Sequence, residues 1–216
     1  MSELATDFAL LGGRDYVNAG TLLNAFLRVL ESEAAGAITV SRLKAQKIAR
    51  ANGRLVLVKG AAIHGIDEAN CTLVAKVRDG EWRGAFFDEG RPARTQPAPQ
   101  YTVSDVEAAG FGGRCRIAPA NRTALVFDLI QANRRFHELS AGLGDAPVVR
   151  FGYLENWDVP PADIAFSGTV EAKNLIARKT ANGILTINRV TYASSPGTAT
   201  SLMLCFEIAP DAKERA

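Results

Sequence analysis

Residues 17–32 read VNAGTLLNAFLRVLES, and residues 123–139 read TALVFDLIQANRRFHEL. In the first stretch the apolar side chains recur at helical spacing, so they form one broad face that a helix must bury. The first two turns of the second stretch are apolar nearly all round, and Asn121 is well placed to cap them. Both stretches are therefore predicted to be helices that other parts of the chain enclose.

Each predicted helix is preceded by one short apolar segment and followed by four strand-like segments. In the first half the short segment is 8–11, and the strand-like segments are 37–48, 54–63, 71–78 and 81–87. In the second half the short segment is 115–118, and the strand-like segments are 147–157, 163–171, 183–192 and 198–208. The last strand of each half follows a turn signal, Asp79-Gly80 or Ser195-Pro196-Gly197.

Residues 90–100 read GRPARTQPAPQ, a proline-rich stretch without apolar periodicity that predicts an extended linker. We assign residues 1–89 to a first unit, 90–112 to the linker and 113–216 to a second unit. The common order of elements, rather than residue identity, indicates two copies of one unit. Two such units can join their edges into one continuous sheet around both helices, which a single unit cannot do. The predicted fold is α+β, with two tandem β-α-β-β-β-β units and a bent antiparallel sheet.

Composition argues against several classes of protein. The chain has 216 residues, 25 Lys and Arg against 23 Asp and Glu, and a formal net charge of +2, so nucleic acid is not an expected partner. No apolar stretch reaches the roughly 20 residues of a membrane span, and the first ten residues lack the charge pattern of a signal peptide, so we expect a cytoplasmic protein. The three cysteines, Cys71, Cys115 and Cys205, lie far apart and are predicted to be small buried side chains.

A long helix preceded by one short strand and followed by four strands resembles the hotdog fold. The tandem arrangement resembles the double hotdog proteins of the acyl-CoA thioesterase-like superfamily. This resemblance implies a thioesterase or a hydratase/dehydratase that acts on acyl-CoA or acyl-carrier thioesters, with the site near the central helices. The segment ALVFD, residues 124–128, resembles the helix segment that carries the catalytic Asp of long double-hotdog acyl-CoA thioesterases. The resemblance therefore implies that Asp128 is a general base or a nucleophile.

The surroundings of Asp128 fit this role, because apolar neighbours on the helix would desolvate the carboxylate and raise its pKa. Alternatively, Asp128 lies on a polar helix face and bonds Gln131. Asn24 is its counterpart in the first helix and could orient a thioester carbonyl, or simply hydrogen-bond within its helix. The thioesterases also use a Gln from a strand of the final repeat, whereas the closing strand here, SLMLCFEIAP, contains none.

Three further residues are candidates for substrate binding. His64 lies close to Asp67 and Glu68, so it belongs either to a His-carboxylate pair or to a solvated loop. Arg42 and Lys44 begin a run of five basic residues that either contacts the nucleotide phosphates of CoA or forms a solvated strand edge.

These observations favour an acyl-CoA thioesterase-like hydrolase that needs no metal or other cofactor, with the acyl chain between the helices and the sheet. Two alternatives stay open: a non-catalytic acyl or small-lipid binding protein, and an enoyl hydratase/dehydratase-like enzyme in which His64 reaches a carboxylate. Whether the chain is an enzyme, whether it forms a homo-oligomer, and which acyl chain and carrier it prefers are not decided by the sequence.

Overall fold

The structure is a computed structural model that describes residues 2–12, 14–140, 148–181, 183–195 and 198–209. The chain divides into two compact units, Met1–Gln100 and Tyr101–Ala216. Within the described residues, neither helix has the length and apolar character needed to cross a membrane.

The first unit contains one helix and an antiparallel sheet. Its elements are β1 (Ser2–Ala5), β2 (Ala9–Leu11), α1 (Ala19–Glu33), β3 (Thr39–Ala45), β4 (Asn52–Lys59), a 3-10 helix (Ile66–Glu68), β5 (Cys71–Val77), β6 (Gly80–Arg91) and β7 (Arg94–Gln96). The sheet has the order β1-β4-β6-β5-β3, and β2 pairs with β7 in a separate parallel pair.

The second unit also contains one helix and an antiparallel sheet. Its elements are β8 (Ser104–Ala109), β9 (Gly112–Ile117), α2 (Arg122–Glu138), β10 (Val148–Asp158), β11 (Gly168–Thr180), β12 (Gly183–Ser195) and β13 (Thr198–Ala209). The order of strands in this sheet is β10-β13-β12-β11-β9-β8.

Both predicted helices form, and each begins at an asparagine cap. The Asn18 side chain accepts a hydrogen bond from the Gly20 N–H at 2.8 Å, and the Asn121 side chain accepts one from the Ala124 N–H at 2.9 Å. These caps satisfy donors that the first helical turn leaves free. Phe127 and Ile130 are half-buried and Leu139 is exposed, but the other apolar positions that the sequence pattern placed on the buried faces of the two helices are buried, so the predicted enclosure is confirmed for these positions. They are Leu22, Leu23, Phe26, Leu27 and Leu30 in α1, and Leu125, Val126, Leu129 and Phe136 in α2.

The predicted linker differs from the structure. The boundary between the units falls inside segment 90–112, but the same segment holds the end of β6, all of β7 and β8, and the first residue of β9. The side chains of β7 are exposed and those of β8 are nearly all exposed, so these strands carry no apolar alternation that the sequence could reveal. Strand β11 likewise continues to Thr180, beyond the predicted end at 171, because its exposed second half is held by pairing with β12.

The four strands predicted after each helix form, but the first unit adds β7, and two strands rather than one precede each helix: β1 and β2 before α1, and β8 and β9 before α2. That the two units are copies of one unit stays a prediction, and the order of their strands differs. Counting strands after the helix, the first unit places the fourth strand between the second and third, whereas the second unit keeps second, third and fourth as neighbours. The joining of the two sheets remains a prediction. The predicted turn at 195–197 lies outside the described residues at positions 196 and 197.

Candidate functional site

Asp128 is a buried carboxylate in the second turn of α2, with an exposed fraction of only 1%. The Thr102 N–H donates a hydrogen bond to Asp128 Oδ1 at 2.9 Å, and the Thr102 hydroxyl donates to Oδ2 at 2.6 Å. The same hydroxyl oxygen accepts a bond from the Ala118 N–H at 2.7 Å, so its proton is directed toward the carboxylate. Thr102 thus joins α2 to the segment that follows β9. The sequence predicted Gln131, and not Thr102, as a hydrogen-bond partner of Asp128.

The pKa of Asp128 lies above the usual value for an aspartate. Burial raises the pKa because it disfavours the charged form, and the two bonds from Thr102 lower it by a smaller amount. Within the described residues Asp128 forms no ion pair with Lys or Arg. Each carboxylate oxygen still has a lone pair that Thr102 does not use, so the group can accept a proton. The predicted desolvation of Asp128 is therefore confirmed, and its catalytic role stays a proposal.

Cys115 on β9 is buried near this carboxylate. Its burial, and to a smaller extent the charge of Asp128, raises the pKa of the thiol to about 11, so the thiol is protonated at neutral pH. Cys71 and Cys205 are buried as well, with pKa values raised to about 12 and about 11 by burial. The prediction that the cysteines are small buried side chains is confirmed.

Asn24, the counterpart of Asp128, is buried in α1. Its Nδ2 donates to the Gly20 carbonyl one turn earlier at 2.9 Å. Part of its amide is therefore used within its own helix, as the simpler of the two sequence interpretations proposed. A role in orienting a thioester carbonyl stays a prediction.

The three predicted substrate-binding residues lie at the surface of the first unit. His64 is exposed in a turn between β4 and the 3-10 helix, and within the described residues it forms no hydrogen bond or ion pair with Asp67 or Glu68. Arg42 and Lys44 are exposed on β3, in register with Val74 and Thr72. They share one face of the strand because side chains two residues apart point the same way.

A second polar cluster, not predicted as such, is fully buried between α2 and β12. The His137 Nδ1 bonds the Asn133 carbonyl and must carry a proton, because a carbonyl only accepts. The His137 Nε2 then accepts from the Thr186 hydroxyl at 2.6 Å. Burial lowers the pKa of His137, so its ring is neutral near pH 7.

Two asparagines extend this cluster. Asn188 Nδ2 donates to Asn133 Oδ1 at 2.8 Å and to the Phe111 carbonyl at 2.6 Å, while Asn133 Nδ2 has no partner within the described residues. The signal available in the sequence is the spacing of Asn133 and His137, four residues apart on one helix face. Thr186 and Asn188 alternate with apolar residues of β12, which places both on one face of that strand.

Comparison with known proteins identifies the fold but no close relative. No family model matches the chain, and no curated protein matches its sequence. A Lactobacillus plantarum protein described as an oleoyl thioesterase superposes with a TM-score of 0.55 at 8% identity, over 97% of this chain and 96% of that one. The tesB protein of Mycobacterium avium subspecies paratuberculosis gives 0.53 at 10% identity, over 96% and 93%.

A Thermobifida fusca protein described as a thioesterase II gives a TM-score of 0.51 at 10% identity, over 96% of this chain and 91% of that one. The similarity covers nearly the whole of each chain, and at this identity it establishes the fold alone. The chain therefore has the α+β hotdog fold that its sequence resembles, the fold of these thioesterase-like proteins.

Proposed function

We propose that this chain, a hotdog protein with the fold of thioesterases, hydrolyses acyl thioesters with Asp128 as the general base. The observation that carries the proposal is the state of Asp128: a carboxylate on the central helix of the second unit, buried, without a cationic partner among the described residues, and with a raised pKa. A raised pKa makes a carboxylate a better proton acceptor.

In this mechanism Asp128 takes a proton from a water molecule while the water oxygen bonds to the carbonyl carbon of the thioester. Collapse of the tetrahedral intermediate breaks the carbon–sulfur bond, and the proton held by Asp128 passes to the leaving sulfur. The products are a carboxylic acid and a thiol. We favour a base over a nucleophile because a base needs to reach only a water molecule, whereas a nucleophilic oxygen must bond to the thioester carbon, and Asp128 is buried with both oxygens held by Thr102.

Arg42 and Lys44 are proposed to contact the phosphates of the CoA carrier. Both are exposed on one face of β3, where two cations can meet one phosphate group. We expect the double change Arg42→Gln and Lys44→Gln to raise KM for acyl-CoA several-fold with little change in kcat. An unchanged KM would contradict this contact.

A non-catalytic acyl-binding protein is the second candidate, and one observation favours it. The two Asp128 oxygens are satisfied by Thr102, as in a purely structural link, and β13 contains no Gln to complete the pattern of the thioesterases. No observation favours the hydratase/dehydratase alternative, because within the described residues His64 has no carboxylate partner.

The deciding experiment measures thiol release from short, medium and long acyl-CoAs by the wild type and by Asp128→Asn. The matched control is Glu33→Gln, which makes the same change at an exposed position of α1. We expect turnover by the wild type and the control, and none by Asp128→Asn although it remains folded. Absence of wild-type turnover with every chain length, together with binding of a non-hydrolysable acyl-CoA thioether, would favour the binding protein. Full turnover by Asp128→Asn would exclude Asp128 as the base.

A further inference from the structure

The β11–β12 hairpin is a strongly basic part of a nearly neutral chain. The hairpin, residues 168–195, contains four basic side chains and one acidic side chain, Glu171, whereas the whole chain has a net charge of only +2. The basic residues are Lys173, Arg178, Lys179 and Arg189, and all four are exposed. Within the described residues none of them forms an ion pair.

The register of the hairpin places cations and aliphatic side chains together on one face. Lys173 lies opposite Arg189, Ile176 opposite Ile187, and Arg178 opposite Leu185. Directly paired residues of two strands point to the same face of a sheet. We call these six residues the hairpin face; each of them is exposed or half-buried.

A β-bulge increases the apolar exposure of the hairpin. The register shifts between Asn174 and Ile176, so Leu175 is an extra residue of β11 without a partner in β12. Asn174 Nδ2 stabilises the bulge through bonds to the Ile176 carbonyl at 3.0 Å and to Asn188 Oδ1 at 2.8 Å. As a result Leu175 is 40% exposed and Ile176 is 47% exposed.

The hairpin face holds three cations, and two carboxylates flank them. Lys173 and Arg189 are like charges in direct cross-strand contact, an arrangement that destabilises a sheet. Glu171 lies two residues before Lys173 on the same face, and Glu207 lies opposite Leu185, but within the described residues neither carboxylate forms an ion pair with a cation of the hairpin face. The face therefore combines three cations that form no ion pair among the described residues with exposed aliphatic groups, and an anionic surface with an apolar layer beneath it would satisfy both.

We propose that the hairpin face binds the surface of an anionic lipid bilayer. Lys173, Arg178 and Arg189 contact headgroup phosphates, and Leu175 and Ile176 enter the boundary between headgroups and acyl chains. A second copy of the same face would bring positive charge against positive charge. A nucleic acid would leave the aliphatic groups without a stacking partner, because the face has no aromatic side chain.

The test is co-sedimentation with vesicles made of equal parts phosphatidylcholine and phosphatidylglycerol, and with vesicles of phosphatidylcholine alone. We expect binding to the anionic vesicles only, weakened by salt. Each cation near such a surface contributes about a fivefold gain in affinity, so the double change Lys173→Gln and Arg189→Gln should weaken binding about 25-fold. The matched control, Lys76→Gln with Arg78→Gln, removes two exposed cations of the first unit and should leave binding unchanged.

A second variant, Leu175→Ser with Ile176→Ser, tests the apolar contribution and should weaken binding to anionic vesicles several-fold. If the wild type does not sediment with anionic vesicles at low salt, or if the control weakens binding as much as the hairpin variant, the proposal is overturned. If the serine variant binds anionic vesicles as tightly as the wild type does, the face is a general polyanion-binding surface, and the lipid assignment is also overturned. Since vesicle binding needs no catalysis, its outcome is independent of whether the chain hydrolyses thioesters.

Discussion

Thr102 holds Asp128 through two donors, a backbone N–H and a hydroxyl, and a change of side chain can remove the hydroxyl while the N–H is kept. Thr102→Val keeps the shape of the side chain and deletes the hydrogen bond from the hydroxyl to Asp128 Oδ2. That bond lowers the pKa of Asp128. We therefore expect the pKa of Asp128 to rise further in this variant, as measured by NMR titration of the carboxyl carbon. If Asp128 is the base, the acidic limb of the kcat/KM profile should move to higher pH by the same amount.

Thr102→Ser is the matched control, because it retains the hydroxyl and should restore the wild-type titration. An unchanged pKa in Thr102→Val would show that the hydroxyl does not act on the carboxylate. The NMR titration reports the pKa of Asp128 even if the protein is inactive, so it tests the effect of Thr102 separately from the proposed activity.

His137 gives a pH dependence of stability whose sign follows from its environment. Burial lowers its pKa in the folded chain, although the Asn133 carbonyl and Glu138 act in the opposite direction. The unfolded chain therefore takes up a proton first, at a pH near the ordinary value of about 6.5. Above that pH His137 is neutral in both states and does not reduce the free energy of unfolding. We expect the free energy of unfolding to fall as the pH decreases below it.

The chain contains two histidines, so the measurement has an internal control. In urea unfolding followed over mildly acidic pH, His137→Gln should flatten the decline, whereas His64→Gln, at an exposed turn, should leave it as in the wild type. An equal decline in wild type and His137→Gln would assign the effect to other groups.

The sequence predicted part of this chemistry and missed the rest for a physical reason. The desolvation of Asp128 follows from its own apolar neighbours along the helix, which are local in sequence. Thr102 lies 26 residues before Asp128, in a segment without periodicity, and only the folded chain brings the two together. The same holds for the bond between His137 and Thr186, which are 49 residues apart.

At the scale of elements, α1 packs against β6 through a glycine. A Cβ atom at Gly84 would lie 2.7 Å from Phe26 Cε1 and 3.2 Å from Leu73 Cβ, and the Phe26 ring is fully buried. We expect Gly84→Ala to lower the free energy of unfolding by about 1–3 kcal/mol, as overpacking of a core does, measured by urea denaturation.

Gly60→Ala is not a suitable control, because its φ of +63° disfavours a side chain whatever the space. A better comparison is Gly84→Ala combined with Phe26→Leu, where the smaller partner should recover part of the loss. If the double variant recovers none of the lost free energy of unfolding, the strain does not arise at the contact of α1 with β6.

The helices and most strands could be predicted because their burial imposes a period on the sequence. The capping role of Asn121 was visible for the same local reason, since its side chain acts three residues away. Strands β7 and β8, and the second half of β11, could not be predicted, because exposed strands need no apolar alternation and are held by pairing with their neighbours.

At the scale of the whole molecule, charge is unevenly distributed. The chain has a formal net charge of +2 and the hairpin, residues 168–195, contributes +3, so the remainder carries −1. An uneven charge of this kind can orient a protein toward an anionic surface before contact is made. The net charge of the whole chain argues against nucleic acid as a partner, but it does not show this local excess of positive charge.

The different strand orders of the two sheets have a consequence for the kinetics of folding. In the second unit β11, β12 and β13 pair consecutively, so two hairpins can close with short loops. In the first unit β4 must pair with β6 and β3 with β5, so each pairing waits for a longer loop to close. Contacts between distant residues slow folding. In refolding followed by pulsed hydrogen exchange, amides of β12 should gain protection before those of β4, and the reverse order would mean that strand topology does not set the sequence of events.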